Sequence, residues 1–171
     1  MKTTTREICL YGILGALIFI LKFIMAPLPN VEPVSLLLIV YTIVFGIKTI
    51  YPLTIYVLLE IAIYGFGIWS IGYLYIWFVL VIITLSIYNI NHSTNILLWA
   101  IVSGIFGFLF GMLYIPLYVI SGSATSAIGW WISGIPYDIT HGIANFILCI
   151  TFFQPLTKLF FTLKKQYKIN D

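Results

Sequence analysis

The sequence predicts an all-α integral membrane protein: a bundle of six transmembrane helices with cytoplasmic N- and C-termini. Three observations carry this. Of 171 residues, 62% are hydrophobic and only 8% are charged, against about 25% charged in a typical soluble domain. The 77 residues from 61 to 137 contain no Asp, Glu, Lys or Arg, which is room for several crossings at about 20 residues each. Clusters of Pro, Gly and Asn then divide the apolar sequence into six runs. A single membrane domain over residues 1–171 is the simplest organisation.

The first span is expected near 8–27. Lys2 and Arg6 precede it as in a signal peptide, but no small-x-small cleavage site follows, so it reads as an uncleaved helix. Pro27-Leu28-Pro29-Asn30 ends it, and a short second span near 34–47 follows. Lys48 to Pro52 separates that from a third span near 52–68, and Trp69 to Gly72 from a fourth near 72–89. After Asn89 to Asn95 comes a fifth span near 95–120. Ser121 to Ser126 introduces a sixth near 130–153, and residues 156–168 beyond Gln154-Pro155 form an amphipathic cytoplasmic tail suited to the lipid interface.

Six spans put both ends on one side. That side carries Lys2, Arg6, Lys48, Lys158, Lys164, Lys165 and Lys168, and only Lys22 lies toward the other. The positive-inside rule makes the richer side cytoplasmic. Basic residues spread in this way lack the clustering that nucleic-acid binding needs. Cys9 and Cys149 both fall within spans and read as small apolar side chains, not as a disulfide or a metal site. No G-x-x-x-x-G-K-[ST] loop is present, so uphill transport would draw its energy from partners or ion gradients.

Candidate functional residues begin in the sixth span. Asp138, His141 and Asn145 are spaced i, i+3, i+7 and share one helix face. Charged and strongly polar groups inside a membrane are costly and tend to mark ligand or ion paths. On the six-span topology Glu60, the outer-loop Glu32 and Lys22 reach a similar outer depth. Tyr64, Trp69, Tyr73 and Trp131 lie nearby, with Tyr56, Tyr75, Trp77, Trp130 and Tyr137. Aromatic walls with a few convergent polar groups build small-molecule sites and suit a heteroaromatic ring. Structural alternatives stand beside each assignment. In them Asp138 would pair with Lys22, His141 would donate to a backbone carbonyl, Asn145 would bond between helices, Glu60 would meet a tyrosine hydroxyl, and tryptophans would form an interfacial belt. In the first span Gly12 and Ala16 make a small-xxx-small step with Gly15 beside it, suited either to a partner helix or to internal packing. Ser103, Gly104, Gly107 and Gly111 make a second stripe, assigned to internal packing.

The chain resembles the substrate-binding S component of energy-coupling factor (ECF) vitamin transporters. Six spans, the small-residue step of the first, the loop Leu28-Pro29-Asn30-Val31-Glu32-Pro33-Val34-Ser35-Leu36 and the run Trp131 to Asp138 carry the resemblance over nearly the whole length. It implies a multi-pass protein of the bacterial cell membrane that binds a water-soluble vitamin or precursor from outside. It further implies docking on a membrane scaffold subunit with two cytoplasmic ATPases, where ATP and Mg would bind, so that this chain holds no cofactor and is not an enzyme. The family's docking motif, Ala-x-x-x-Ala, falls on Gly12 and Ala16, with glycine replacing the first alanine. The implied pocket lies where Glu32, Glu60, Asp138 and His141 gather. Three acids against Lys22 favour a ligand rich in donors or positively charged. The alternatives are a structural membrane protein of the cell-shape machinery with a similar six-helix fold, and an intramembrane enzyme using Asp138 and His141 as an acid-base pair.

Overall fold

The computed structural model describes residues 4–167 and 169. Lys2 and Lys168, which count toward the sidedness, lie outside them. The described residues form seven α-helices: α1 (Thr5–Met25), α2 (Val34–Phe45), α3 (Ile50–Tyr64), α4 (Ile68–Asn91), α5 (Ile96–Phe108), α6 (Ile115–Ser121) and α7 (Ala124–Gln166). Among the described residues, four helical stretches have the length and apolarity to cross a membrane: 5–25, 34–64, 68–91 and 124–166. A fifth appears if 96–108 and 112–121 are joined across their 53° bend. The chain is therefore a multi-pass membrane protein by the length and composition of its helices.

The stretch 34–64 is not one straight rod. Lys22 Nζ lies 3.9 Å from Glu32 and 2.8 Å from Glu60, whereas straight helix between those two acids would hold them about 42 Å apart. The chain reverses at Gly46, whose φ of 60° and ψ of −139° suit a residue without Cβ. A 3₁₀ turn at Gly46–Thr49 then feeds α3. From there α3 climbs parallel to α1: Glu7 meets Lys48, Gly15 faces Pro52 and Ile55, and Lys22 meets Glu60. We call the end with Lys22, Glu32 and Glu60 the upper end. At the lower end, Thr4 to Glu7 share a surface recess with Tyr167 and Ile169, so the described ends of the chain meet there.

Every residue of α2 is buried. A helix apolar on all sides belongs at the centre of a bundle, and α2 packs against α4, α5 and α7. Lipid tails are as apolar as leucine, so close packing and polar ties, not hydrophobicity, hold such helices together. The stripe Gly104–Gly107–Gly111 lets α5 and the bend after it approach α7 closely. A Cβ at Gly107 would stand 2.8 Å from the Gly142 backbone, which is why α5 and α7 make the most extensive helix pair.

Several boundaries differ from the sequence reading, for local reasons. α1 starts at Thr5 because Thr4 and Glu7 form a capping box, the Glu7 carboxylate accepting the Thr4 N–H at 2.8 Å. α4 starts at Ile68 because the Ser70 hydroxyl accepts the Gly67 N–H, so Trp69 to Gly72 is helix where a loop was expected. The fifth span, expected continuous, breaks after Phe108. Gly111 and a 3₁₀ turn at Met112–Tyr114 redirect the chain into α6.

The sixth span and its tail form one helix of 43 residues, which runs through Pro136 and Pro155. Proline removes one N–H and clashes with the carbonyl one turn back, but packing on α5, α2 and α6 holds the helix on course. In the tail Thr157 and Phe160 are buried, and Lys164 Nζ donates to the Val44 carbonyl at 2.8 Å. The tail therefore packs on the end of α2 instead of lying separately.

Candidate ligand-binding site

A cavity of about 660 Å³ opens at the upper end among α1, α3, α4, the α5–α6 bend and α7. Its size falls within the range of small-molecule sites. Lys22, Glu60 and Asp138 contribute charge; Tyr64, Trp69, Tyr73, Phe110, Tyr114, Tyr118, Trp130 and Tyr137 supply rings. A side chamber of about 300 Å³, walled by the loop Met25 to Glu32, shares Lys22, Asn30, Tyr64 and Tyr73 with it.

Local structure explains why these groups converge. Lys22 sits in the last turn of α1, where a cation meets unpaired carbonyls favourably. Its ammonium donates to Glu60 Oε2 at 2.8 Å and to the Tyr73 hydroxyl at 3.0 Å. It also stands 4.7 Å from the Tyr73 ring centroid, in cation–π range. Glu32, at 3.9 Å, adds a second carboxylate. Burial pushes the Glu32 carboxyl above the usual carboxylate range, and Lys22 pulls it the other way.

The bend between α5 and α6 brings the far wall inward. The Tyr114 hydroxyl donates to the Trp69 carbonyl at 3.0 Å, and the Tyr75 hydroxyl donates to the Leu113 carbonyl at 2.5 Å, tying the bend to α4. Tyr118 stacks on Trp130 with ring centroids 4.1 Å apart and planes 29° from parallel. At the cavity floor Asp138 Oδ1 accepts the Gly111 N–H at 3.0 Å, while Oδ2 has no hydrogen-bond partner among the described residues.

Of the residues singled out in the sequence, Glu60, Tyr64, Trp69, Tyr73 and Asp138 line the main cavity, and Glu32 lines the side chamber. His141 lies behind Phe110, with ring centroids 4.9 Å apart, and its Nε2 is 3.8 Å from Glu32 Oε1. Asn145 sits deeper, donating to the Ser35 hydroxyl at 3.0 Å and the Ser103 carbonyl at 3.4 Å. It ties α7 to α2 and α5 and does not line the cavity. Trp131 is half-buried off the lining, and its neighbour Trp130 lines the cavity instead.

Lys22 engages Glu60 and Glu32 and not Asp138, and Glu60 bonds to lysine where a tyrosine was the structural alternative. Phe110, Tyr114 and Tyr118 were not singled out. They repeat at helical spacing, but the bend that aims them at the cavity has no strong signal in an apolar run.

The step in α1 divides. A Cβ at Gly12 would meet nothing within 4 Å, whereas one at Gly15 would collide with the Pro52 carbonyl at 2.7 Å and with Ile55. Gly15 therefore serves the α1–α3 contact, and Gly12 faces away from it. Among the described residues no group of three or more His, Cys, Asp or Glu side chains is placed to hold a metal ion.

No family model, no curated protein and no solved structure matches this chain.

Proposed function

We propose that this chain is the substrate-binding subunit of an ECF-type importer for a water-soluble vitamin or vitamin precursor. Six passes, with cytoplasmic N- and C-termini in a bacterial cell membrane, complete the reading. The observation that carries it is the upper-end cavity: about 660 Å³, largely aromatic, with charged groups on its wall. Such a chamber fits a captured small molecule, since its walls supply area and its few polar atoms supply orientation. In this reading the chain binds and releases without a chemical step. A membrane scaffold subunit and two cytoplasmic ATPases supply the energy, with Gly12 on the α1 face left open for docking.

The sidedness follows from charge. Arg6, Lys48, Lys158, Lys164 and Lys165 belong to the lower part of the bundle, Lys22 to the upper, so the cavity faces outward under the positive-inside rule. The test is mass spectrometry of small molecules released from the purified protein, followed by equilibrium binding of the compound found. A bound vitamin-type molecule with micromolar or tighter affinity is expected. If none copurifies and none of a broad vitamin panel binds, the importer reading fails and a structural role gains.

A further inference from the structure

We infer that the cavity selects a flat aromatic cation carrying N–H donors, and that Asp138 Oδ2 is the atom that receives them. The inference rests on the cavity being a ligand site and specifies what that ligand is. Charge is the first argument. Among the described residues lining the cavity and its side chamber, Lys22 is the one cation, and Glu32, Glu60 and Asp138 are the acids. Lys22 is taken up by Glu60 at 2.8 Å and Glu32 at 3.9 Å. Asp138 forms no salt bridge with a described residue and has only the neutral Gly111 N–H at 3.0 Å. The site thus carries an excess of carboxylate that an anionic ligand worsens and a cation relieves.

Geometry is the second argument. Asp138 is 7% exposed, yet it lines the cavity and keeps Oδ2 unpartnered. A buried acceptor without a donor is costly, and sites built to hydrogen-bond a ligand group leave such an atom waiting for it. The Gly111 N–H engages Oδ1 and leaves Oδ2 without a donor among the described residues, and a Cβ at Gly111 would collide with both oxygens, so only glycine lets the carboxylate lie this close to the bend. The walls agree with the floor. The Tyr118–Trp130 stack, with Tyr114, Trp69 and Tyr73, presents flat electron-rich rings, which favour planar ligands and attract cations.

The test uses three compounds of one shape and different charge, 2-naphthamidinium, 2-naphthamide and 2-naphthoate, titrated into the purified full-length protein after removal of any endogenous ligand. The amidinium should bind at least about tenfold more tightly than the amide, and the naphthoate more weakly still. Asp138→Asn keeps the acceptor for Gly111 and removes the charge. It should weaken the amidinium at least about tenfold and by a larger factor than the amide, which loses the acceptor at Oδ2 but no charge pairing. Equal or tighter binding of naphthoate, or an unchanged amidinium affinity in the variant, overturns the inference. If the variant binds none of the three compounds, its pocket has collapsed, and the order of the three compounds on the unaltered protein decides alone. A copurifying anionic vitamin would refute this selectivity and leave the importer reading standing. The predicted order without any bound or accepted vitamin would do the reverse.

Discussion

Replacing Lys22 with methionine tests the electrostatic centre of the upper end. The substitution keeps an unbranched stem and removes the ammonium that lies 2.8 Å from Glu60 and 3.9 Å from Glu32. The Glu60 side chain is only 3% exposed, so the variant strands a buried carboxylate. Breaking a buried pair from one side costs about 3–5 kcal/mol. Because the Lys22 side chain is 20% exposed, solvent screening reduces the expected loss to about 2–4 kcal/mol.

The double variant Lys22→Met/Glu60→Gln removes the stranded charge and should recover more than half of that loss, since exchanging both members of a buried pair is often nearly neutral. Unfolding of the unaltered protein, both single variants and the double variant in detergent, followed by circular dichroism, closes the cycle. A coupling energy of about 2 kcal/mol is expected. A coupling below about 0.5 kcal/mol would refute the claim that this pair organises the upper end.

Further substitutions separate packing from recognition. Gly15→Leu should destabilise by about 1–3 kcal/mol through collision with Pro52 and Ile55, whereas Gly12→Leu should stay within about 0.5 kcal/mol, both read as thermal unfolding in detergent. Under the importer reading, Gly12→Leu spares binding and abolishes uptake; retained uptake would move docking to another face. Asn145→Ala should cost about 0.5–1.5 kcal/mol by losing its bonds to Ser35 and Ser103 while leaving ligand affinity within about twofold, and Trp130→Ala should lower that affinity at least about tenfold.

The pH test concerns Glu32, whose carboxyl is raised in the fold, with Lys22 and His141 as its charged or titratable neighbours. The unfolded chain gives up this proton first, so Glu32 should make stability fall as pH rises from its ordinary value through the raised one. Glu32→Gln should flatten that part of the melting-temperature profile above about pH 4. Identical slopes for the two proteins would refute this.

The sequence by itself determined the class of this protein and the identity of its costly residues. Composition, and the uncharged run from 61 to 137, admit little but a membrane helix bundle, because polar backbone in lipid must satisfy itself within helices. Helical period alone placed Asp138, His141 and Asn145 on one face, and all three are buried. Tertiary structure decided their separate fates. Asp138 reaches the cavity, His141 stands behind Phe110, and Asn145 bonds across to Ser35, because neighbouring helices, not spacing along one helix, determine what each turn of a face meets. The same holds for Lys22, whose carboxylate partners are 10 and 38 positions away, and for the bend after Phe108. An apolar run looks alike whether it is straight or broken, and only packing against α4 and α7 turns Tyr114 and Tyr118 into a wall.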